Sequence, residues 1–150
     1  MRLPDPEFEQ RTRDSFAQQP AMATLGVGIE SVAAGRVVLR MAHRADLTQQ
    51  HGFLHAGMVA TALDSACGYA AFTLMPAGAG VLTIEFKINL LAPARGPLLH
   101  FEGHVTKSGR TLSVVDGRAF QSEPGSAERK LVATMTATCL TVTGRDDLRG

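Results

Sequence analysis

One stretch limits the folds open to this chain more than any other: His51 to Leu74, HGFLHAGMVATALDSACGYAAFTL. It begins as a Gly-bearing loop with two histidines and becomes, at about Ala56 to Met58, a long Ala-rich helical run. From Thr24 onward the other patterned segments read as strands, so the chain must be built around a single long helix. One helix cannot cover both faces of a broad sheet. The economical arrangement is an α+β fold, a curved antiparallel sheet of about six strands wrapped around the helix. Ala60, Ala62, Ala66, Gly68, Ala70 and Ala71 would let the sheet come close. Within the run, Asp64 is a lone carboxylate among Met58, Val59, Leu63, Ala66 and Cys67. It is costly to desolvate unless something pairs with it or uses it.

Before the helix, Thr24 to Ser31 and Arg36 to Ala42 are strand-like, and Ala33, Ala34 and Gly35 turn between them to make a hairpin. After it, PAGAG is a turn signal and the pattern switches to period two. In Val81 to Pro93, Thr83, Glu85, Lys87 and Asn89 fall on one face, and Ile84, Phe86, Ile88 and Leu90 on the other. Leu98 to Lys107, Thr111 to Gln121 and Arg129 to Val142 repeat the strand signal, with Asp116 and Gly117 read as a bulge inside one strand. Their short connections favour antiparallel pairing. Residues Pro6 to Gln19 form a short polar helix docked through Phe8 and Phe16 and ended by Pro20, a helical extension over residues 1–20. Residues 144–150 read as a frayed tail, and the 150 residues as one domain. The uncovered face or edge of the sheet wants a partner, so a homodimer is expected.

With 15 Lys and Arg against 14 Asp and Glu, a net charge of +1 offers no broad surface for nucleic acid or membrane. The first residues mix both signs of charge and lack the apolar core of a secretory signal. Asp64 interrupts the best apolar run, leaving no span of about 18 residues for a bilayer. A cytoplasmic location is expected. Cys67 and Cys139 sit in apolar segments without CxxC spacing, which predicts buried thiols rather than a disulfide or a metal site.

The loop and helix start carry a resemblance. The pattern Gln49-x-x-Gly52-x-x-His55-Ala56-Gly57, with Asp64 nine residues after His55 and Thr83 in the next strand, resembles the hotdog-fold acyl-CoA thioesterases, particularly their phenylacetyl-CoA thioesterase-like (PaaI-type) branch. That branch has Asn where Gln49 stands and Gly where Ala56 stands; Gln keeps an amide donor on a longer arm. The resemblance implies a hotdog fold, self-association as a homodimer or dimer of dimers, and an acyl-CoA substrate, with no cofactor beyond the coenzyme A that the substrate carries. It implies Asp64 as general base or nucleophile, with the Gly57 N–H and Gln49 polarising the thioester carbonyl. His55 would orient the loop, and Thr83 would hold the attacking water or the carboxylate.

Helix geometry adds a constraint. Nine residues amount to about 900° of rotation and about 13 Å of rise, so His55 and Asp64 lie on opposite sides of the axis. A dimer that sets Asp64 of one subunit against the helix start of the other removes the difficulty. For the coenzyme A phosphates the best basic cluster is Lys107-Ser108-Gly109-Arg110, with Lys87 and Arg95 as lesser candidates. The ordinary reading of such a turn is a solvated hairpin tip. On position alone Asp64 would serve equally as a structural carboxylate, and His51 as an ordinary loop histidine. The alternative functions are a hotdog-fold enoyl-CoA hydratase or dehydratase, and a non-catalytic acyl-CoA-binding protein.

Overall fold

In chain order the elements are α1 (Phe8–Ala17), α2 (Pro20–Leu25), β1 (Gly28–Ala33), β2 (Arg36–Ala42), α3 (Ala56–Phe72), β3 (Gly80–Leu90), β4 (Leu98–Ser108), β5 (Leu112–Ser122) and β6 (Lys130–Val142). They come from a computed structural model that describes residues 5–150; residues 1–4 of the expected extension lie outside it. The six strands make one antiparallel sheet in the order β1-β2-β4-β5-β6-β3. β3 does not lie beside β4, which follows it in sequence. It sits at the far edge against β6, with its other side unpaired.

The sheet curls around α3 because both partners give up side chains where they meet. Gly103 and Gly117 are opposite each other on β4 and β5. A Cβ on Gly103 would overlap the Ala66 carbonyl, and one on Gly117 would stand 2.8 Å from Cys67 Sγ. On the helix, Ala62, Ala66, Cys67 and Ala70 are wholly buried, and Leu63, Phe72, Leu99 and Phe101 fill the remaining space. Each of these large side chains contributes about 1.5–3 kcal/mol by leaving water. Both cysteines are buried free thiols, and burial pushes both well above the usual thiol range, Cys139 to about 11. Among the described residues no helix is long and apolar enough to cross a membrane.

Three sequence expectations are corrected. The first strand begins at Gly28 rather than Thr24, because Pro20 opens a second short helix at a position where its missing N–H costs nothing. Gly26 ends that helix in the left-handed region at φ 72°. The tail is not frayed: Asp146–Leu148 makes a 3-10 turn and the Gly150 N–H donates to the Ala79 carbonyl at 3.1 Å. Gly80 permits this by lacking a side chain that would collide with the Leu148 carbonyl.

The third correction shapes the site. The β3–β6 register shifts between Thr83 and Glu85, so strict alternation fails at Ile84. Thr83 pairs with Cys139, Phe86 with Ala137 and Ile88 with Met135. All three partners are buried, so the bulge turns Thr83 onto the same helix-facing side as Phe86 and Ile88. By period two alone Thr83 would face away. The Asp116–Gly117 pair does lie inside one continuous strand, as expected, but without the expected bulge: both residues pair regularly, and the extra residues beside β5 are Thr106 of β4 and Val132 of β6.

The N-terminal helices are bolted to the far end of α3. Arg11 donates to the Met75 carbonyl at 2.9 Å and its guanidinium lies 4.3 Å from the Phe72 ring centre. Phe16 meets Tyr69 edge-on at 5.7 Å, and Ser15 Oγ lies 3.2 Å from the Tyr69 hydroxyl. Phe16 therefore docks as expected. Arg11, which satisfies carbonyls past the helix end, is the anchor that sequence patterning did not single out.

Candidate active site

Asp64 sits in the middle of α3, half-buried, and its Oδ1 accepts a 2.7 Å hydrogen bond from Thr83 Oγ1. The β3 bulge is what aims that hydroxyl at the helix. Burial raises the Asp64 carboxyl above its ordinary range, and the Thr83 hydrogen bond works against that rise by favouring the charged form. Both groups open onto a hollow of about 260 Å³ that is lined also by Gln19, Ser65, Gly68, Tyr69, Val81 and Leu82.

At the start of α3 lies a second hollow, of about 370 Å³, bounded among others by Gln49, Phe53, Ala56, Val59, Leu90 and Val132. The two hollows share no residue. Gln49 folds its Oε1 back onto its own loop, accepting from the His51 N–H at 2.5 Å and the Phe53 N–H at 3.4 Å. Its Nε2 has no hydrogen-bond partner among the described residues. The Gly57 N–H is engaged: His55, as N-cap, accepts from it through Nδ1 at 2.9 Å. Offering that N–H to a thioester oxygen requires the His55 ring to swing aside. A side chain at Gly57 would press on the same ring, since a Cβ there would lie 3.1 Å from His55 Nδ1.

The structure thus brings Asp64 with Thr83, and Gln49 with His55 and Gly57, but keeps the two groups apart. Lys107, Gly109 and Arg110 form a turn whose two basic residues are exposed, and none of the three lines either hollow. Lys87 is occupied with Asn89 at 3.0 Å. Arg95 is better situated, its guanidinium 5.0 Å from the centre of the Phe53 ring that borders the larger hollow.

Two groupings escaped the sequence reading. Gly68 was legible in principle, being four residues beyond Asp64 on a helix; Ser65 points about 100° away from Asp64 around the axis, and Gln19 is brought there only by the α1–α2 elbow. The other grouping joins β1, β4 and β5: His100 Nδ1 lies 2.8 Å from Glu30 Oε1 and His100 Nε2 lies 2.8 Å from Ser122 Oγ, while Arg129 reaches Glu30 Oε2 at 3.3 Å. Its order resembles a catalytic triad, but Ser122 is 8% exposed. The loop amides of Arg95 and Gly96 in the hollow over it are spent on Gln121 Oε1. It reads as a clasp across the convex face. Burial works against the Glu30 charge, yet His100 and Arg129 outweigh it and hold that carboxyl below the usual range.

The carboxylate and its hydroxyl partner give a first test. Replacing Thr83 by Val removes the donor that favours ionised Asp64, so the carboxyl rises further. If the ionised form is the active one, the acidic limb of the pH–rate profile moves to higher pH, with a smaller change in the plateau. A limb that stays in place, measured by thioester hydrolysis across pH, would mean that Asp64 does not govern it.

A six-stranded antiparallel sheet wrapped around one helix, with a half-buried carboxylate in that helix, defines a hotdog-fold protein. The chain belongs to the thioesterase superfamily, whose family model matches residues 51–128. It is similar to a crystallised thioesterase family protein from Silicibacter pomeroyi, 54% identical with a TM-score of 0.87, over 91% of this chain and 99% of that one. The PaaI protein from the E. coli phenylacetic acid degradation operon shares the fold at 21% identity and a TM-score of 0.82, over 92% of this chain and 95% of that one. Human acyl-coenzyme A thioesterase 13 is 30% identical over 88 residues, 58% of this chain and 62% of that enzyme. The chain likewise spans just under two thirds of two archaeal relatives provisionally named esterases, 66% and 65% of their lengths.

Proposed function

We propose that the protein hydrolyses acyl-CoA thioesters at a site shared by two copies of the chain. The observation that carries this reading is the division of the chemistry: a carboxylate with its hydroxyl in one hollow, the donors for a carbonyl oxygen in another. Thr83 and Leu90 mark the two hollows on β3, seven residues and about 23 Å apart. β3 is also one of the two edge strands, and Leu82, Ile84, Phe86 and Leu90 along it are 42–55% exposed. Such an edge wants a partner. A two-fold antiparallel pairing of β3 with its own copy, centred near Phe86 and Lys87, sets Thr83 of one chain opposite Leu90 of the other. Each Asp64 then faces the Gln49–Gly57 end of its neighbour, and the exposed apolar residues are covered.

In this arrangement the thioester carbonyl oxygen accepts from the Gln49 Nε2 and from the Gly57 N–H, once His55 has released it. Both donors are strongest on the oxyanion of the tetrahedral species. Asp64 takes a proton from water as the water oxygen bonds to the carbonyl carbon, or attacks that carbon itself. The carbon–sulfur bond then breaks, and coenzyme A leaves as the thiolate; after direct attack, water hydrolyses the mixed anhydride on Asp64, releasing the acid and restoring the carboxylate. A base raised by burial suits this step, because it binds the proton more firmly than a solvated carboxylate. Arg95 at the rim of the larger hollow is the favoured phosphate contact, ahead of Lys107, Gly109 and Arg110.

The test is thiol release from a panel of acyl-CoAs of different chain lengths and with aryl groups. Hydrolysis of at least one member with saturation kinetics is expected. Tight binding with no hydrolysis of any would overturn the enzyme reading in favour of an acyl-CoA-binding protein, and hydration of an enoyl-CoA would favour a hydratase.

A further inference from the structure

The hollow beside Asp64 does not end at the carboxylate. It runs a turn further along α3, past Ser65, Gly68 and Tyr69, and is bordered there by Gln19 from the elbow between α1 and α2. Gln19 is held there firmly. Its backbone N–H donates to the Phe16 carbonyl at 3.1 Å, and its own carbonyl accepts from Ala23 at 3.4 Å. The Tyr69 contacts of Ser15 and Phe16 and the Arg11 bond to Met75 fix the helix before it. Ser65 is 8% exposed and donates its hydroxyl hydrogen to Gln19 Oε1 at 3.3 Å. With the amide so placed, Gln19 Nε2 is a donor with no partner among the described residues. The space, about 260 Å³, falls below the roughly 300–1,000 Å³ of ordinary small-molecule sites.

Resting on the thioesterase reading, we infer that Gln19, oriented by Ser65, is the specificity-determining residue at the end of the acyl subsite, and that it selects short acyl groups carrying a hydrogen-bond acceptor at their far end. A plain alkyl terminus seated there would strip water from the amide and offer nothing in return. Sites built around a hydrogen bond discriminate strongly against the isostere that lacks it. Gly68 supports the same assignment. A Cβ at that position would meet only Thr83 Oγ1, at 4.0 Å, so the hollow owes part of its width to the missing side chain.

A matched pair of substrates tests this, 4-oxopentanoyl-CoA and 4-methylpentanoyl-CoA, which differ by a carbonyl oxygen against a methyl group. The wild type is expected to favour the oxo substrate in kcat/KM by at least about tenfold, and Gln19→Met to bring the ratio near one. Damage to folding would lower both rates and leave the ratio intact. Gly68→Ala, which adds a methyl without a clash, is expected to lower kcat/KM for both substrates relative to acetyl-CoA. A wild-type preference for the methyl substrate, a ratio unchanged in Gln19→Met, or no length effect from Gly68→Ala would overturn the inference while leaving the thioesterase reading in place. A chain that hydrolyses no acyl-CoA would overturn that reading, and this inference with it.

Discussion

Asp64→Asn is expected to abolish most of the activity and to stabilise the protein at once. General-base removal typically costs about 10²–10⁴ in rate, and it should appear in kcat with little change in KM. Asn keeps an oxygen that can accept the Thr83 hydrogen bond, so the local geometry survives. The stability gain follows from linkage. Because burial raises the Asp64 carboxyl above its unfolded value, the folded chain holds that proton more tightly than the unfolded one. The associated stability is fully present below the unfolded pKa and is lost as pH rises through the folded one. At neutral pH the wild type therefore carries a charge the helix interior disfavours, and the Asn variant does not. Thermal melts should give the variant the higher Tm at pH 7, with the gap closing as pH falls below the usual carboxylate range. An inactive variant with a lower Tm would mark Asp64 as structural.

The second large effect concerns the division of the site. Asp64→Asn and Gly57→Val should each be nearly inactive alone, the latter because a side chain at Gly57 presses on His55 and occupies the approach to the N–H. Co-expressed at equal levels, half of the dimers are mixed. Each mixed dimer holds one site with both defects and one with neither. Recovery of about a quarter of wild-type activity is expected from this statistical assortment. No recovery, with mixed dimers shown by mass to be present, would rule out a shared site and require Asp64 and Gly57 to act within one chain.

Much of the fold was legible because its signals are local. The Ala-rich run fixed α3 from Ala56, and β6 differs from its sequence reading by one residue, Lys130 for Arg129. What was not legible depends on contacts between distant segments. Nothing in Val81 to Pro93 announces a bulge at Ile84, since a period-two pattern reads the same on both sides of it; only the register against β6 displaces Thr83. The α2 helix was hidden because Leu25, Val27 and Ile29 alternate as a strand would, and Gly26 at positive φ is one glycine among 15. In the site, Asp64 stood out as a charge in an apolar run, whereas the engagement of the Gly57 N–H by His55 is a matter of ring orientation that spacing does not encode.

The glycine pair at Gly103 and Gly117 has a bearing on how such a protein can change. It presses the sheet against α3 at Ala66 and Cys67, within one turn of Asp64, so the stretch of helix that carries the carboxylate is seated directly on the sheet. The wall opposite comes from Gln19, on a separate helical elbow. Substitutions in that elbow can reshape what fits beside the carboxylate without moving the carboxylate itself. If Gln19 bounds the acyl subsite as inferred, substrate range can change through the α1–α2 elbow while the carboxylate keeps its place on α3.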